Sequence, residues 1–164
     1  MMTRALLTAL VLLTAACASP QPASRSFAQT GGAGLNPNET RELRSLIEQY
    51  ADFYEVPPSL IHRVIQRESD YRPGARNGPY YGLMQILPET AATMGHSGGA
   101  SSLLDAETNL RYGVKYLRGA WLVANGNQDE AVRWYASGYY YEARNRCMLV
   151  ETGLRSSEVR RHCG

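Results

Sequence analysis

This sequence of 164 residues has a low net charge, few long apolar runs and only three cysteines. The formal net charge is only +2, and Lys and Arg are interspersed with Asp and Glu, so no basic stripe is available to bind a phosphate backbone. We therefore expect no nucleic-acid partner. The chain also lacks sustained alternation of apolar and polar residues, which predicts a single all-α domain, or one with minimal β structure.

Residues 1–17 have the pattern of an export signal, with an early cation, an apolar segment of about a dozen residues and small residues around Cys17. This segment is shorter than the ~20 apolar residues that span a bilayer. Cys17 follows two alanines, as the lipidated cysteine of a bacterial lipoprotein does, although Thr14 stands where such signals usually have Leu. We favour lipidation of Cys17, and simple cleavage after the Ala16-Cys17-Ala18 triplet is the alternative. The mature chain is then expected in the periplasm, where a lipid anchor in the outer membrane would be its membrane contact.

The other two cysteines, Cys147 and Cys163, lie near the C-terminus of a chain that we expect to be exported. Because disulfides persist in oxidising compartments, a disulfide between them is the prediction. Closing a loop of this size would stabilise the fold by roughly 3 kcal/mol. A zinc site is the alternative, but no ligand spacing links these cysteines to the three histidines, so we expect neither a metal nor another cofactor.

Apolar residues three or four positions apart divide the rest of the chain into helices. Residues 18–38 are rich in Ser, Pro, Gly, Gln and Ala, which predicts a disordered tether, and residues 39–164 then form the folded domain. The predicted helices span residues 39–54, 59–69, 88–95 and 105–124, with more helix after Asn127. Three polar side chains are predicted N-caps, namely Ser59, Asp105 and Asn127. The glycine-rich residues 95–102 predict a mobile loop.

Glu68 lies three residues after Ile65 and four after Val64, which places its carboxylate on the same face as the buried stripe of the second predicted helix. Burial and the negative end of the helix dipole both disfavour the charged form, so we expect a raised pKa for Glu68. The alternative is a structural glutamate neutralised by Arg63 or Arg67 on the same helix.

Glu68 has no obvious second carboxylate beside it. Glycosidases of the usual kinds need two acidic groups at a fixed separation across the substrate. Asp70 is two residues away, so it either points to another face of the helix or lies beyond its end. Either a residue such as Asp105 or Glu89 supplies the second group, or one group serves first as acid and then as base.

An ordered set of motifs surrounds this carboxylate. The set consists of Glu68-Ser69, Pro73, Ala75, "GLMQ" at 82–85, "ILPETA" at 86–91 and "NLRYGVKYL" at 109–117. In this order and spacing the sequence resembles the soluble lytic transglycosylase family, lysozyme-like enzymes that cleave bacterial peptidoglycan. The resemblance covers about residues 56–138, and it implies a lysozyme-like single helical domain.

The resemblance also implies a mechanism that needs one carboxylic acid. In this family a Glu protonates the β-1,4 glycosidic oxygen between N-acetylmuramic acid and N-acetylglucosamine. The same group then removes the proton of the muramoyl 6-hydroxyl, which closes a 1,6-anhydro ring, so the enzyme is a lyase and not a hydrolase. Glu68 matches this catalytic position, and a pKa near ambient pH would suit both roles.

The remaining site residues follow from the same motif match. Met84 and Gln85 match substrate-lining positions, where the thioether would pack against a sugar and the amide would bond an acetamido or hydroxyl group. Plain core packing is the alternative for Met84. Tyr135, in "WYASG", matches the tyrosine that contacts the catalytic acid. Asn77 stands where the family often has a serine and would donate to the substrate, and Tyr81 would stack on a sugar, with core packing as its alternative.

These matches predict a peptidoglycan lytic transglycosylase that acts on glycan strands. A hydrolytic muramidase of the same fold is one alternative. Another is a weakly active glycan-binding scaffold that assembles with envelope-complex proteins. Two departures from the family pattern suggest the scaffold, namely Ala136 in place of the usual Asn and a loop before "GLMQ" that is one residue shorter than usual.

Overall fold

The computed structural model describes residues 34–163. The export signal, Cys17 and most of the predicted tether lie outside the described residues. The α-helices are α1 Arg41–Tyr54, α2 Pro58–Glu68, α3 Pro88–Thr93, α4 Ala106–Val123, α5 Gln128–Ser137 and α6 Tyr140–Asn145. Two short strands, β1 Arg76–Asn77 and β2 Tyr80–Tyr81, pair antiparallel, and 3-10 helices span Ala100–Leu104 and Arg161–Cys163. The prediction of a helical domain with minimal β structure is confirmed.

The central helix of the domain is α4, which packs against α1, α3 and α5. Its buried apolar face consists of Leu110, Gly113, Val114, Leu117, Ala120 and Val123. The facing stripes of α1 and α2 contribute Leu43, Ile47, Leu60, Ile61, Val64 and Ile65. Burying each large apolar side chain stabilises the fold by roughly 1.5–3 kcal/mol. This core therefore holds α2 firmly, and with it the residue at its end, Glu68.

Polar side chains fix where three of the helices begin. Asp105 Oδ1 and Asn127 Oδ1 each accept a hydrogen bond from the backbone N–H three residues on, at 2.8 and 3.0 Å, so both predicted caps are confirmed. Thr40 caps α1 in the same way, at 3.1 Å. The predicted cap at Ser59 is wrong, because α2 already begins at Pro58, whose fixed φ suits the first turn of a helix.

The chain between α3 and α4 is more regular than its composition predicts. Helix α3 begins at Pro88, as predicted. The expected mobile loop instead leads into the 3-10 helix Ala100–Leu104. Leu103 is fully buried, and the Ser102 hydroxyl donates to a backbone carbonyl at 2.8 Å. One buried leucine and local hydrogen bonds thus outweigh the glycine-rich composition.

A disulfide between Cys147 and Cys163 closes the C-terminal segment, with the two Cα atoms 5.2 Å apart. Leu149 and Thr152, inside this loop, are buried and pack the segment onto the domain. His162 lies within 4.8 Å of both sulfur atoms, but sulfurs joined in a disulfide are not the thiolates that bind zinc. Within residues 34–163, no helix has both the length and the apolar character needed to cross a membrane.

Candidate active site

Glu68 is the last residue of α2, at the edge of the core. Its side chain is 25% exposed, while Val64 and Ile65 on the preceding turn are almost fully buried. Burial raises the pKa of Glu68, and the Arg67 guanidinium, 3.7 Å from its carboxylate, opposes that effect. Arg63, the other suggested neutralising partner, pairs with a carboxylate on α5 instead. The direction of the pKa shift agrees with the expectation from the helix face.

No second carboxylate of the described chain contributes to the pKa of Glu68. Asp105 is engaged in capping α4, and Asp70 accepts a 2.9 Å hydrogen bond from the Asn38 side chain. Glu89 lines a separate cleft. Nor does any described hydrogen-bond donor affect the pKa of Glu68. Its carboxylate is therefore free to exchange a proton with a bound molecule.

The turn that follows Glu68 has an uncommon backbone conformation. Asp70 and Tyr71 have φ angles of 50° and 59°, in the left-handed region that costs roughly 1–2 kcal/mol for a residue with a side chain. The Asn38 amide donates to both the carbonyl and the carboxylate of Asp70, at 3.2 and 2.9 Å. The Tyr71 hydroxyl lies 3.0 Å from His62 Nδ1. These contacts hold the chain where it leaves α2.

A buried carboxylate, Glu39, anchors the segment that carries Asn38. Its side chain is fully buried and accepts hydrogen bonds from Arg44 Nη2 at 2.7 Å and from the backbone and side-chain N–H groups of Asn36 at 2.8 Å. Burial alone would raise the pKa of Glu39, but these hydrogen bonds outweigh it and lower that pKa to about 2. His62 Nδ1 lies 3.7 Å from the same carboxylate. The start of α1 and the turn after α2 therefore form one polar network.

Asn109 of α4 organises the loop between α2 and α3. It is fully buried, and its Oδ1 accepts a 2.8 Å hydrogen bond from the Met84 N–H. Its Nδ2 donates to the carbonyls of Tyr81 and Leu103, both at 2.8 Å. Gly82, with φ of 73°, lies so close to the Asn109 amide that a Cβ atom there would overlap it. A buried amide with all these partners fixes the "GLMQ" segment in place.

Gln85 directs its side chain back into this loop. Its φ angle is 46°, and its Nε2 donates to the carbonyls of Gly82 and Ala75, at 2.8 and 3.2 Å. Because the two acceptors are both carbonyls, they identify the nitrogen end of the amide. Its Oε1 is buried and accepts no hydrogen bond within the described chain. The predicted substrate-binding amide thus braces the loop and also presents an unpartnered acceptor.

Met84 belongs to the core. Its side chain is fully buried against Gly113 of α4, where an added Cβ atom would lie 2.6 Å from the Met84 sulfur. A side chain at position 113 would therefore force the Met84 side chain to move. The expectation that the thioether lines the sugar site therefore needs correction, because the side chain follows the apolar face of α4 inward. The Met84 backbone carbonyl accepts a 2.8 Å hydrogen bond from the Tyr135 hydroxyl.

Tyr135 connects the acid to a cluster of tyrosines. Burial raises the pKa of its hydroxyl well above the usual value, and the charge of Glu68 acts in the same direction. The hydroxyl donates to the Met84 carbonyl and makes no hydrogen bond to Glu68, so the link between the two residues is the effect of the Glu68 charge on the pKa of Tyr135. The ring of Tyr135 lies 5.5 Å from that of Tyr116, which lies 4.8 Å from that of Tyr139.

Asn77 and Tyr81 lie in the small hairpin, where Asn77 pairs with Tyr80. The Asn77 side chain is exposed. Tyr81 is half-buried against a small apolar cluster, and the Arg76 guanidinium lies 4.8 Å from the centre of its ring. Protein contacts therefore occupy much of the Tyr81 ring, in line with the core-packing alternative. Tyr80, 42% exposed, is the hairpin aromatic with more free surface.

Sequence reasoning assigned no role to Asn109, Glu39 or Tyr116. For Asn109 a signal was present, because it lies four residues before Gly113 and so on the buried face of α4. A buried asparagine needs partners, and the adjoining loop supplies them. No such signal marks Glu39, since its network includes His62 on another helix.

Together the fold and the site define a lysozyme-like helical domain, in which one partly buried carboxylic acid lies where a core helix ends. Over residues 45–146 the chain matches the model of a protein family described as the transglycosylase SLT domain. The match covers more than half of the chain and includes Glu68, Gln85 and Tyr135. The chain therefore belongs to the transglycosylase SLT domain family.

Curated relatives share this domain and are much longer. A protein named membrane-bound lytic murein transglycosylase C from Haemophilus influenzae (strain PittEE) is 37% identical over 97 residues, which are 54% of this chain and 26% of that protein. Its namesake from Mannheimia succiniciproducens is 36% identical over 93 residues, 52% of this chain and 25% of that protein. The similarity to this chain is thus confined to about a quarter of each relative.

Proposed function

We propose that this chain is a peptidoglycan lytic transglycosylase in which Glu68 serves as general acid and then as base. The observation that carries the proposal is the environment of Glu68, which is partly buried and has a raised pKa to which no second carboxylate among residues 34–163 contributes. Family membership and the names of the relatives support the substrate class.

The proposed reaction has two proton transfers at one residue. Protonated Glu68 donates its proton to the glycosidic oxygen between N-acetylmuramic acid and N-acetylglucosamine as the bond from that oxygen to muramoyl C1 breaks. The resulting carboxylate accepts the proton of the muramoyl 6-hydroxyl, whose oxygen bonds to C1 and closes the 1,6-anhydro ring. Glu68 is then protonated again, and no water is consumed. A raised pKa suits a group that must both donate and accept a proton.

Gln85, Tyr135 and Asn77 are proposed to form the muramoyl site around this acid. Gln85 shapes this site by bracing the loop, since its Nε2 donates to the carbonyls of Gly82 and Ala75. Tyr135 holds the Met84 carbonyl in place through its hydroxyl, and the Glu68 charge raises the pKa of that hydroxyl. Asn77, exposed on the hairpin, is free to donate to the substrate.

Digestion of purified sacculi, with muropeptides identified by mass, tests this function. We expect wild-type protein to release products with 1,6-anhydro ends, each one water lighter than a hydrolysis product. Glu68→Gln keeps the shape of the side chain but removes its proton transfer, so we expect activity to fall by about 10²-fold or more. Glu48→Gln, at an exposed position on α1, is the matched control and should keep full activity.

Other outcomes of the digestion would contradict the proposal. Reducing-end products would indicate a hydrolytic muramidase. Binding to sacculi without release of products, by wild type and Glu68→Gln alike, would indicate a scaffold. Full activity of Glu68→Gln would show that another residue is the acid.

We further propose that the chain works in the periplasm, held at the outer membrane by lipid on Cys17. The "MMTRALLTALVLLTAACASP" segment supports export, and the relatives are named membrane-bound. The intact mass of the mature chain would reveal the lipid. Cys17→Ala should move the chain from the membrane fraction to the soluble fraction, and an unchanged distribution would contradict the anchor.

A further inference from the structure

A second concave surface lies beyond the tyrosine cluster. It is an open cleft of about 670 Å³, a volume typical of ligand sites. Its walls are α3, Tyr116 of α4, Tyr140 of α6 and residues 153–156 of the C-terminal segment. Neither Glu68 nor Gln85 lines it, so it is distinct from the site of chemistry.

One wall of this cleft comes from outside the part of the chain that the family model covers. The family match ends at residue 146, and the disulfide-closed segment begins at Cys147. That segment is tied down by the disulfide, by buried Leu149 and by the Arg118 guanidinium, which donates to the Glu151 carbonyl at 3.2 Å. The cleft therefore combines residues of the matched domain with one wall, residues 153–156, that lies outside the family match.

Arg155 is the cation of this wall, and it is held in a defined position. Its Nε donates to the Tyr140 hydroxyl at 3.2 Å, its guanidinium lies 5.7 Å from the centre of the Tyr140 ring, and its backbone N–H donates to the Leu149 carbonyl at 3.1 Å. Within residues 34–163 no carboxylate lies within ion-pair distance of Arg155. Its terminal nitrogens are therefore available to a ligand carboxylate, which they can bind in bidentate fashion.

Glu89 of α3 lines the same cleft and is not paired with Arg155. The cleft thus presents both signs of charge, together with the hydroxyls of Thr90 and Thr93. A ligand with carboxylates and an ammonium group fits this lining better than a neutral sugar does. The peptide stems of peptidoglycan are such ligands, since they contain acidic residues and a diamino acid.

Tyr116 joins the cleft to the site of chemistry. It lines the cleft, and its ring lies 5.5 Å from that of Tyr135, whose hydroxyl is bound to the Met84 carbonyl. The cleft and the site at Glu68 are therefore linked through one pair of tyrosine rings, Tyr116 and Tyr135. Resting on the function proposed above, we propose that this cleft binds the peptide stem and that Arg155 pairs with one of its carboxylates.

The experiment compares two substrates, sacculi that retain their stems and glycan strands from which an amidase has removed them. We expect Arg155→Gln to lower kcat/KM on stem-bearing substrate by about five- to tenfold, and to change it by less than about twofold on bare glycan. Arg155→Lys, which keeps the charge, should retain most of the activity on stem-bearing substrate. Arg41→Gln, an equal charge change at an exposed site on α1, should affect neither substrate.

The bare glycan also distinguishes a carboxylate of the stem from the lactyl carboxylate, because amidase treatment removes the stem and leaves a free lactyl carboxylate on each muramoyl residue. An equal loss on both substrates would overturn the proposal, since Arg155 would then serve the lactyl group or the fold. No loss on either would overturn it as well. If wild type cleaves neither substrate, the transglycosylase function itself fails, whereas cleavage of both by wild type leaves that function standing whatever Arg155→Gln does.

Discussion

At the scale of single residues, the position of Glu68 at the end of α2 partly buries its carboxylate and raises its pKa. The buried turn before it fixes its location, and partial burial, with no hydrogen-bond partner in the part of the chain that the structure describes, favours the protonated form. Ionised Glu68 destabilises the fold because its carboxylate is partly buried. The raised pKa that suits an acid and a base therefore lowers stability. Arg67 moderates the effect, since its charge lowers the pKa of Glu68.

Removing that charge should shift the pH dependence of the reaction. In the proposed mechanism Glu68 donates a proton in the first step, so kcat/KM should fall as pH rises through its pKa in the folded protein, which burial places above 4.5. Arg67→Gln removes the opposing charge, so the pKa should rise further and the alkaline limb should move to higher pH. Profiles of kcat/KM against pH for wild type and variant would show the displacement.

Arg63→Gln is the control for this displacement, because Arg63 lies on the same helix but pairs with Asp129 and does not contribute to the pKa of Glu68. Its alkaline limb should match that of wild type. A limb that stays in place in Arg67→Gln, or moves to lower pH, would mean that Glu68 is not the group whose protonation limits the reaction.

Residues whose environment is local were predictable from the sequence, and others were not. The face of α2 identified Glu68 because three- and four-residue spacing is a property of one helix. Met84 was misjudged because its burial depends on Gly113, which comes close only when α4 packs against the loop. The burial of Tyr81 was also not predictable from its local sequence. Its carbonyl accepts a hydrogen bond from Asn109, and its ring packs against an apolar cluster that includes Leu103.

At the scale of elements, the segment before α1 and the turn after α2 stabilise each other. The Asn38 side chain donates to the Asp70 carboxylate. The Glu39 carboxylate accepts a hydrogen bond from Arg44 and lies 3.7 Å from His62 Nδ1. The turn has an unfavourable backbone conformation, so it needs these contacts to persist. The orientation of Glu68 thus depends in part on residues that precede the first helix.

Loss of the buried carboxylate in this network should be costly. The pKa of Glu39 is lowered from 4.5 to about 2, so its contribution to stability is fully present above pH 4.5 and is lost as pH falls toward 2. Glu39→Gln should therefore lower the free energy of unfolding at pH 7 by about 3 kcal/mol. Urea denaturation of wild type and variant at pH 7 and at pH 3 would measure this difference.

The difference between the two proteins should narrow at pH 3, where Glu39 of the unfolded wild type is protonated. Asp52→Asn makes the same change of charge at an exposed position of α1 and should alter stability by less than about 0.5 kcal/mol. Equal stability of Glu39→Gln and wild type at pH 7 would contradict the role given to this network.

The elements themselves were largely predictable, because amphipathic spacing and caps act within a few residues. Asp105 and Asn127 mark their helices correctly. The exception at Ser59 arose because two prolines precede it and the helix begins at the second. The 3-10 helix Ala100–Leu104 was not foreseen, since the burial of Leu103 that anchors it depends on packing beyond its own sequence.

At the scale of the whole molecule, the described chain consists of the family domain and, beyond the family match, a short C-terminal addition. The family match, residues 45–146, includes most of α1, all of α2 to α6, and Glu68. The addition, from Cys147 to Cys163, is held by a disulfide and by few buried side chains. Its geometry therefore depends more on the covalent link than the geometry of the helical core does.

Breaking the disulfide should impair the C-terminal segment while the helical domain keeps its activity on bare glycan. Replacing both cysteines, Cys147→Ser with Cys163→Ser, should cost roughly 3 kcal/mol for a loop of this length. Because most of the buried apolar side chains come from the helices and not from this segment, we expect a lower Tm but a folded domain that still cleaves bare glycan. Preference for stem-bearing substrate should fall, since residues 153–156 form a wall of the cleft.

The Tm and the activity on both substrates should be measured for wild type with and without a reducing agent. This tests the same disulfide without a substitution. Reduced wild type should behave as the double variant does, because both lack the same covalent link. Unchanged stem preference in both, together with a lower Tm, would mean that the disulfide stabilises the tail without shaping the cleft. A loss of activity on bare glycan as well would mean that the C-terminal segment supports the site at Glu68 and that the two parts are not separable.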